Sequence, residues 1–205
     1  EPSVTDFGIE RFSRELKDFI LNNKIHEPCV FGYSMGGYVA LFTALQDPSL
    51  LKKIITLGTK FDWSKESLAK ELKSLDPAFL KQKVPAFAKL LETKHGTDWT
   101  QLLEKTGTLM QEISDKDFLN FESLKTIHTP VLIGRGDRDQ MVSLNETRTV
   151  FETLPHASFY ILPGTKHPIE SAPVDILVPL ISHFVNKTYI LKQQLFRYFS
   201  SHETV

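Results

Sequence analysis

Residues 28–46, PCVFGYSMGGYVALFTALQ, leave the chain little choice of fold. A short apolar run ends at Tyr33, and a second apolar stretch begins at Met35. The first has the length of a strand and the second that of a buried helix, stopped near Asp47-Pro48. Only Ser34 stands between them, with Gly32 two residues before it and Gly36 two after. A strand that turns straight into a helix strains the turn residue and lifts its side chain clear of the sheet edge. Gly32 and Gly36 are expected to supply the space for that turn. The helix would aim its first N–H groups and positive dipole end at the Ser34 hydroxyl. The Met35 N–H is then the natural first donor to an oxyanion. With 15 serines and 10 glycines in the chain, chance supplies about 0.04 such spacings before any flanking context is required.

The rest of the chain repeats the alternation. Residues 8–22 place Ile9, Phe12, Leu16, Phe19 and Ile20 on one helical face. Ile54–Thr59, Pro130–Gly134 and Ser158–Leu162 read as further strands. Ser143–Leu154 reads as a helix opened by a Ser143/Glu146 capping box, and residues 173–185 as a last apolar helix. Strand–helix alternation implies parallel pairing, since parallel strands need a crossover. The strand runs are apolar on both faces, as expected where helices cover both sides of a sheet.

Residues 62–125 break the rhythm. They hold 10 lysines, 11 acidic residues, no arginine and no strand signal. Leu68, Leu72 and Leu75 recur at helical spacing, as do Phe87, Leu90 and Leu91. The segment is expected to be a helical insertion, because structureless loops of that length are rare in compact domains.

Composition limits the partners. The 205 residues carry a net charge of −1 and are 41% hydrophobic. That excludes a disordered chain and argues against nucleic acid or an anionic membrane as the main partner. No apolar run is long enough to span a bilayer. The one cysteine, Cys29, leaves no internal disulfide or cysteine-rich metal site, and fits a reducing, cytoplasmic compartment. It is expected to be a small buried hydrophobe. The chain opens on Glu1 with no methionine before Met35, and so reads as a processed product or a fragment.

A serine hydroxyl needs a base, and the base an orienting acid. Two later strand ends offer both: GRGDRDQMV holds Asp137 and Asp139, and PGTKHP holds His167. In parallel sheets, catalytic groups collect beyond the carboxyl ends of the strands. The order serine, acid, histidine is that of one such triad arrangement.

Here the chain resembles the α/β-hydrolase fold superfamily. GYSMGG resembles its elbow, LKTIHTPVLIGRGDRDQMV the segment leading to its acid, and LPGTKHPIE the loop bearing its histidine. The resemblance runs from about Thr5 to Val185. It implies a three-layer α/β sandwich with a mostly parallel sheet and an inserted helical cap. Residues 1–61 and 126–205 would form the core, lacking the N-terminal strands, and 62–125 the cap. Ser34 becomes the nucleophile and His167 the general base, with Met35 supplying an oxyanion-hole N–H. The family's acid stands three residues after a glycine and three before a valine, so Gly136 and Val142 select Asp139. Asp137 would brace the turn or pair with Arg138. The second oxyanion donor comes from an early loop that would lie upstream of Glu1. The isolated chain is therefore expected to be less soluble or less active than a longer parent.

The implied activity is hydrolysis of a small carboxylic ester or thioester through an acyl-enzyme. No metal or cofactor is required, and the partner is a small-molecule, ester-like substrate. The same elbow also fits a C–C bond hydrolase, a menaquinone-pathway synthase-like lyase, or a cofactor-free haloperoxidase. A ligand-binding protein with little turnover would keep it too. Tyr33, Phe61, Trp63 and Trp99 are candidates for the substrate pocket. Phe61, Trp63, Phe79, Phe87 and Trp99 would equally serve as the insertion's own small core.

The other histidines (His26, His95, His128, His156, His183 and His202) show no metal-ligand spacing. Asn145-Glu146-Thr147 and Asn186-Lys187-Thr188 match glycosylation sequons, a common coincidence. Ile190, Leu191, Leu195, Phe196 and Phe199 in the tail form either an amphipathic helix or a frayed end.

Overall fold

The computed structural model describes residues 7–186; the tail pattern lies outside them. Four strands form one sheet: β1 (Cys29–Tyr33), β2 (Lys53–Leu57), β3 (Val131–Gly136) and β4 (Ala157–Leu162). They pair in chain order and all in parallel. Gly32 is opposite Thr56, Thr56 opposite Ile133, and Ile133 opposite Phe159. Every strand therefore ends at the same edge of the sheet, and every loop leaving that edge can meet the others.

Helices join the strands. α1 (Ile9–Asn22) packs on α2 (Met35–Gln46), and α2 packs on β1 and β2. α8 (Leu144–Thr153) packs on β3 and β4. The main core joins Ile9, Tyr38, Leu41, Ile54, Val131 and Ile133. The Tyr38 hydroxyl accepts the Leu119 N–H at 3.3 Å and so avoids an unpaired buried oxygen.

β2 and β3 are buried along their whole length, and the outer strands are not. β1 alternates, with Cys29 and Phe31 exposed and Gly32 buried. Cys29 is thus an exposed thiol rather than a buried hydrophobe. Its strand is an outer strand of the four-stranded sheet, and α2 packs on it. Edge position depends on strand order, which an apolar run does not reveal.

Residues between β2 and β3 form α3 (Lys65–Ser74), α4 (Pro77–Lys83), α5 (Pro85–His95), α6 (Trp99–Lys116) and α7 (Phe121–Lys125). Their boundaries follow local chemistry. Ser64 accepts the Ser67 N–H, Asp76 those of Ala78 and Phe79, and Asn120 those of Glu122 and Ser123. Pro85 ends α4 and starts α5, because proline suits the first turn and disfavours a helix before it. Leu80, Ala88, Trp99 and Leu103 make a separate small core here.

Residues up to Pro173 form one compact unit. Beyond it α9 (Val174–Asn186) is an apolar helix carrying Pro179 inside it. No described helix is long and apolar enough to cross a membrane.

Candidate active site

Ser34 occupies the turn between β1 and α2 at φ 51° and ψ −120°. An L-residue with positive φ is strained and persists only where its surroundings hold it. Here two backbone bonds and one side chain do so. The Ser34 N–H donates to Leu57 O at 2.9 Å, and the Ser34 carbonyl accepts the Gly37 N–H at 3.1 Å. Thr59 Oγ1 donates to the same carbonyl at 3.0 Å.

The glycines divide the work differently from the sequence expectation. A Cβ on Gly32 would lie 2.5 Å from both the Gly36 oxygen and the Gly37 nitrogen. A Cβ on Gly37 would collide with Thr59 Oγ1. A Cβ on Gly36 would meet nothing within 4 Å. Close approach therefore requires glycine at 32 and 37, and not at 36. The requirement at Gly37 comes from the loop after β2, which is remote in sequence.

The loops after β3 and β4 bring Asp139 and His167 to this turn. His167 Nε2 lies 3.2 Å from Ser34 Oγ, and His167 Nδ1 lies 2.9 Å from Asp139 Oδ2. The other Asp139 oxygen accepts the N–H groups of Met141 and Val142 at 2.9 and 3.0 Å. Burial pushes the Asp139 pKa up. The His167 hydrogen bond, the Val142 N–H, the charge of His167 and the Met141 N–H together outweigh that and hold it below the usual value. A carboxylate at Nδ1 places the imidazole proton there and leaves the Nε2 lone pair toward Ser34. Asp137 is placed elsewhere. It accepts the Thr165 N–H at 3.1 Å and lies 3.9 Å from Arg138, tying the β3 and β4 loops together.

Met35 opens α2, so its N–H is among the helix's first, which have no acceptor within the helix. Tyr33 donates to the His167 carbonyl at 2.8 Å, and its ring centroid lies 5.4 Å from that of His167. Burial, with the Asp139 and Glu170 charges, pushes its phenol pKa up. A narrow cavity above Ser34 is lined by Met35, Lys60, Trp63, Glu71, Met110, Met141, Val142 and His167. Its lining includes all three methionines of the chain. Of the aromatic candidates Phe61, Trp63 and Trp99, only Trp63 is among its lining residues. Trp99 sits in the small core with Leu80, and Phe61 packs toward Tyr38, ring centroids 6.4 Å apart. Helical spacing alone does not say which cluster a side chain joins.

Sequence reasoning missed several contributors. Gly58, at φ 62°, lets the β2 loop pass where a Cβ would lie 3.2 Å from Asp139 Oδ2 and 3.4 Å from His167 Nδ1. The sequence reading runs the second strand on to Thr59, whereas β2 ends at Leu57, so Gly58 and Thr59 take the same kind of position beyond a strand end as Ser34, Asp139 and His167. Arg135 is a buried cation within β3 whose guanidinium donates to the Asp139 carbonyl. The sequence reading ends the third strand at Gly134, whereas β3 runs on through Arg135 to Gly136. The pairing of Lys60 with Glu71 left no signal in spacing. Glu146 also departs from the expected reciprocal box. Ser143 Oγ accepts the Glu146 N–H at 3.1 Å, while the Glu146 carboxylate accepts the Ser143 hydroxyl and, at 3.4 Å, the Phe61 N–H. Among the described residues no group of three or more His, Cys, Asp or Glu could hold a metal ion.

The comparisons agree with this geometry at the level of fold. An alpha/beta hydrolase enzyme from a Medee basin deep-sea metagenome superposes with a TM-score of 0.69 at 17% identity, over 91% of this chain and 74% of that one. A serine hydrolase involved in carbazole degradation gives 0.63 at 21% identity, over 91% and 74%. The 2-hydroxy-6-oxo-6-phenylhexa-2,4-dienoate hydrolase of Rhodococcus sp. strain RHA1 gives 0.59 at 18%, over 86% and 70%. No curated protein sequence matches the chain. The family model described as alpha/beta hydrolase fold matches residues 1–108. With the parallel sheet and the strained serine turn, that match makes the chain a member of the alpha/beta hydrolase fold family.

Proposed function

We propose that this protein is a serine hydrolase that cleaves a small carboxylic ester or thioester through an acyl-enzyme. One observation carries the reading: a single imidazole lies within hydrogen-bond reach of both a strained serine and a buried carboxylate. Ser34 Oγ attacks the carbonyl carbon while His167 Nε2 takes its proton. Asp139 holds the imidazole tautomer and stabilises the imidazolium that forms. The developing oxyanion is met by the Met35 N–H at the positive end of α2. The leaving alcohol or thiol departs with the proton from Nε2. Water then gives a proton to Nε2 and attacks the acyl carbon, and that proton passes from Nε2 to Ser34 Oγ as the acid is released. No metal or cofactor takes part. Residues 62–125 act as the cap over a core formed by 7–61 and 126–173, with Trp63 and Met110 in the pocket roof.

The test is intact mass after incubation with a fluorophosphonate, beside a Ser34→Ala control. One adduct on Ser34, absent from the control, is expected, followed by turnover on a short-chain ester panel. A folded, unlabelled protein would overturn the reading. The Rhodococcus neighbour is by name a hydrolase of 2-hydroxy-6-oxo-6-phenylhexa-2,4-dienoate, and that dienoate in the same panel separates C–C bond hydrolysis from ester cleavage.

A further inference from the structure

The cavity above Ser34 is walled mainly by Trp63, Met110, Met141 and Val142, and two charged side chains interrupt that wall. Lys60 Nζ lies 3.5 Å from Glu71 Oε1, with the two side chains 12% and 6% exposed. Lys60 also donates to the Met141 carbonyl at 3.1 Å. An ammonium has three donors and a carboxylate about four acceptor positions, so these contacts leave capacity on both partners. A buried ion pair is a poor source of stability, because desolvation offsets most of the attraction and apolar replacements are often neutral or better. Stability therefore does not account for this pair, and its position on the reactive cavity suggests another role.

Charge decides what it would bind. Lys60 and Glu71 cancel, and the Asp139 and Glu146 carboxyls border the same side of Lys60. A substrate anion would meet Glu71, and a cation would meet Lys60. An uncharged group that both donates and accepts satisfies both at once. The cavity is small, about 30 Å³, so the acyl chain it takes is short and the adaptable Met110 and Met141 side chains move aside for it. The leaving group takes its proton from His167, and a second, open cleft borders His167 with Arg138, Gln140, Lys166 and Pro168.

Resting on the hydrolase reading above, we infer that Lys60 and Glu71 form a specificity site for an uncharged hydroxyl or carboxamide group on the acyl chain. The hydroxyl donates to the Glu71 carboxylate and accepts from the Lys60 ammonium.

The test compares 4-nitrophenyl butanoate, 4-nitrophenyl 3-hydroxybutanoate and the 4-nitrophenyl monoester of succinate. The wild type is expected to favour the hydroxyacyl over the butanoyl ester by about tenfold or more in kcat/KM, and to disfavour the succinyl ester. The Lys60→Met/Glu71→Leu double variant should lose the hydroxyl preference. Glu71→Gln removes the carboxylate paired with Lys60 and should move the preference toward the succinyl ester by about tenfold. That shift is one a purely structural role would not produce. A wild-type ratio near one, or a preference unchanged in both variants, overturns the inference. Ligand-observed NMR titration of Ser34→Ala with methyl 3-hydroxybutanoate and methyl butanoate reads the same preference without turnover. A binding preference with no hydrolysis supports the site and sinks only the hydrolase reading. Hydrolysis with no preference sinks only the site.

Discussion

Thr59 Oγ1 donates to the carbonyl oxygen of Ser34 at 3.0 Å, so the loop after β2 grips the strained residue that ends β1. Thr59 is 1% exposed, and water does not replace the bond when it is lost. Thr59→Val keeps the shape and removes the donor. The Gly37 N–H still reaches the same oxygen, so the expected cost is that of one hydrogen bond, about 1 kcal/mol. Denaturant unfolding measures that cost, and the fluorophosphonate labelling rate of Ser34 reports the elbow. A variant as stable and as fast as wild type would show that the grip is incidental.

Two glycines in the same motif should respond in opposite ways. Gly32→Ala drives a Cβ into the backbone of Gly36 and Gly37, atoms that cannot move without breaking the turn. The variant is expected to be severely destabilised or unfolded. Gly36→Ala meets open space inside the first turn of α2. It should raise stability by about 0.5–1 kcal/mol, since alanine suits a helix better than glycine. Melting temperatures of the pair settle this, and equal losses at both positions would contradict it.

Asp139→Asn should lower kcat by about 10⁴-fold, because a carboxamide no longer selects the reactive tautomer of His167. Stability has its own pH signature. The folded pKa of Asp139 lies below its ordinary value of 3.8. Its contribution is therefore present above the unfolded pKa and lost as pH falls through the folded value. The melting-temperature gap between wild type and variant should be widest near neutrality and close below about pH 4. A gap that widens toward acid would reverse the sign argued here.

Glu146 behaves in the opposite sense. Burial pushes its pKa up, and the Lys60 charge with the Ser143 and Phe61 N–H groups only partly offsets that. A raised carboxyl favours folding while protonated, so its contribution is lost as pH rises through the folded value. Glu146→Gln should therefore melt higher than wild type at pH 8, with the difference fading toward pH 4. Melting curves across that range test it.

The sequence and structure meet most closely where chemistry is local. The apolar runs marked the four strands to within a residue or two, and caps such as Ser143 followed from nearest neighbours. Ser34, Asp139 and His167 were visible because each follows a strand end, and a parallel sheet sends all such ends to one edge. What stayed hidden depended on which elements become neighbours. Cys29 is exposed although its run is apolar, because a run does not say which faces of a strand the helices cover. Gly37 rather than Gly36 is crowded because Thr59 arrives from another loop. Trp63 and Trp99 share a segment and a residue type, yet join different clusters. Glu71 reads as one more surface acid of a charged helix, and only the approach of Lys60 gives it a role.

The three methionines around Ser34 make the cavity its own spectroscopic reporter. Met35, Met110 and Met141 line it, and the chain has no others. Protein grown on methyl-labelled methionine would therefore give three resonances, all from the walls of the reactive pocket, against an otherwise silent background. Their thioethers are also its most oxidisable groups. Peroxide exposure would turn an adaptable apolar lining into a polar one around an intact serine, linking the protein's substrate range to the redox history of the sample.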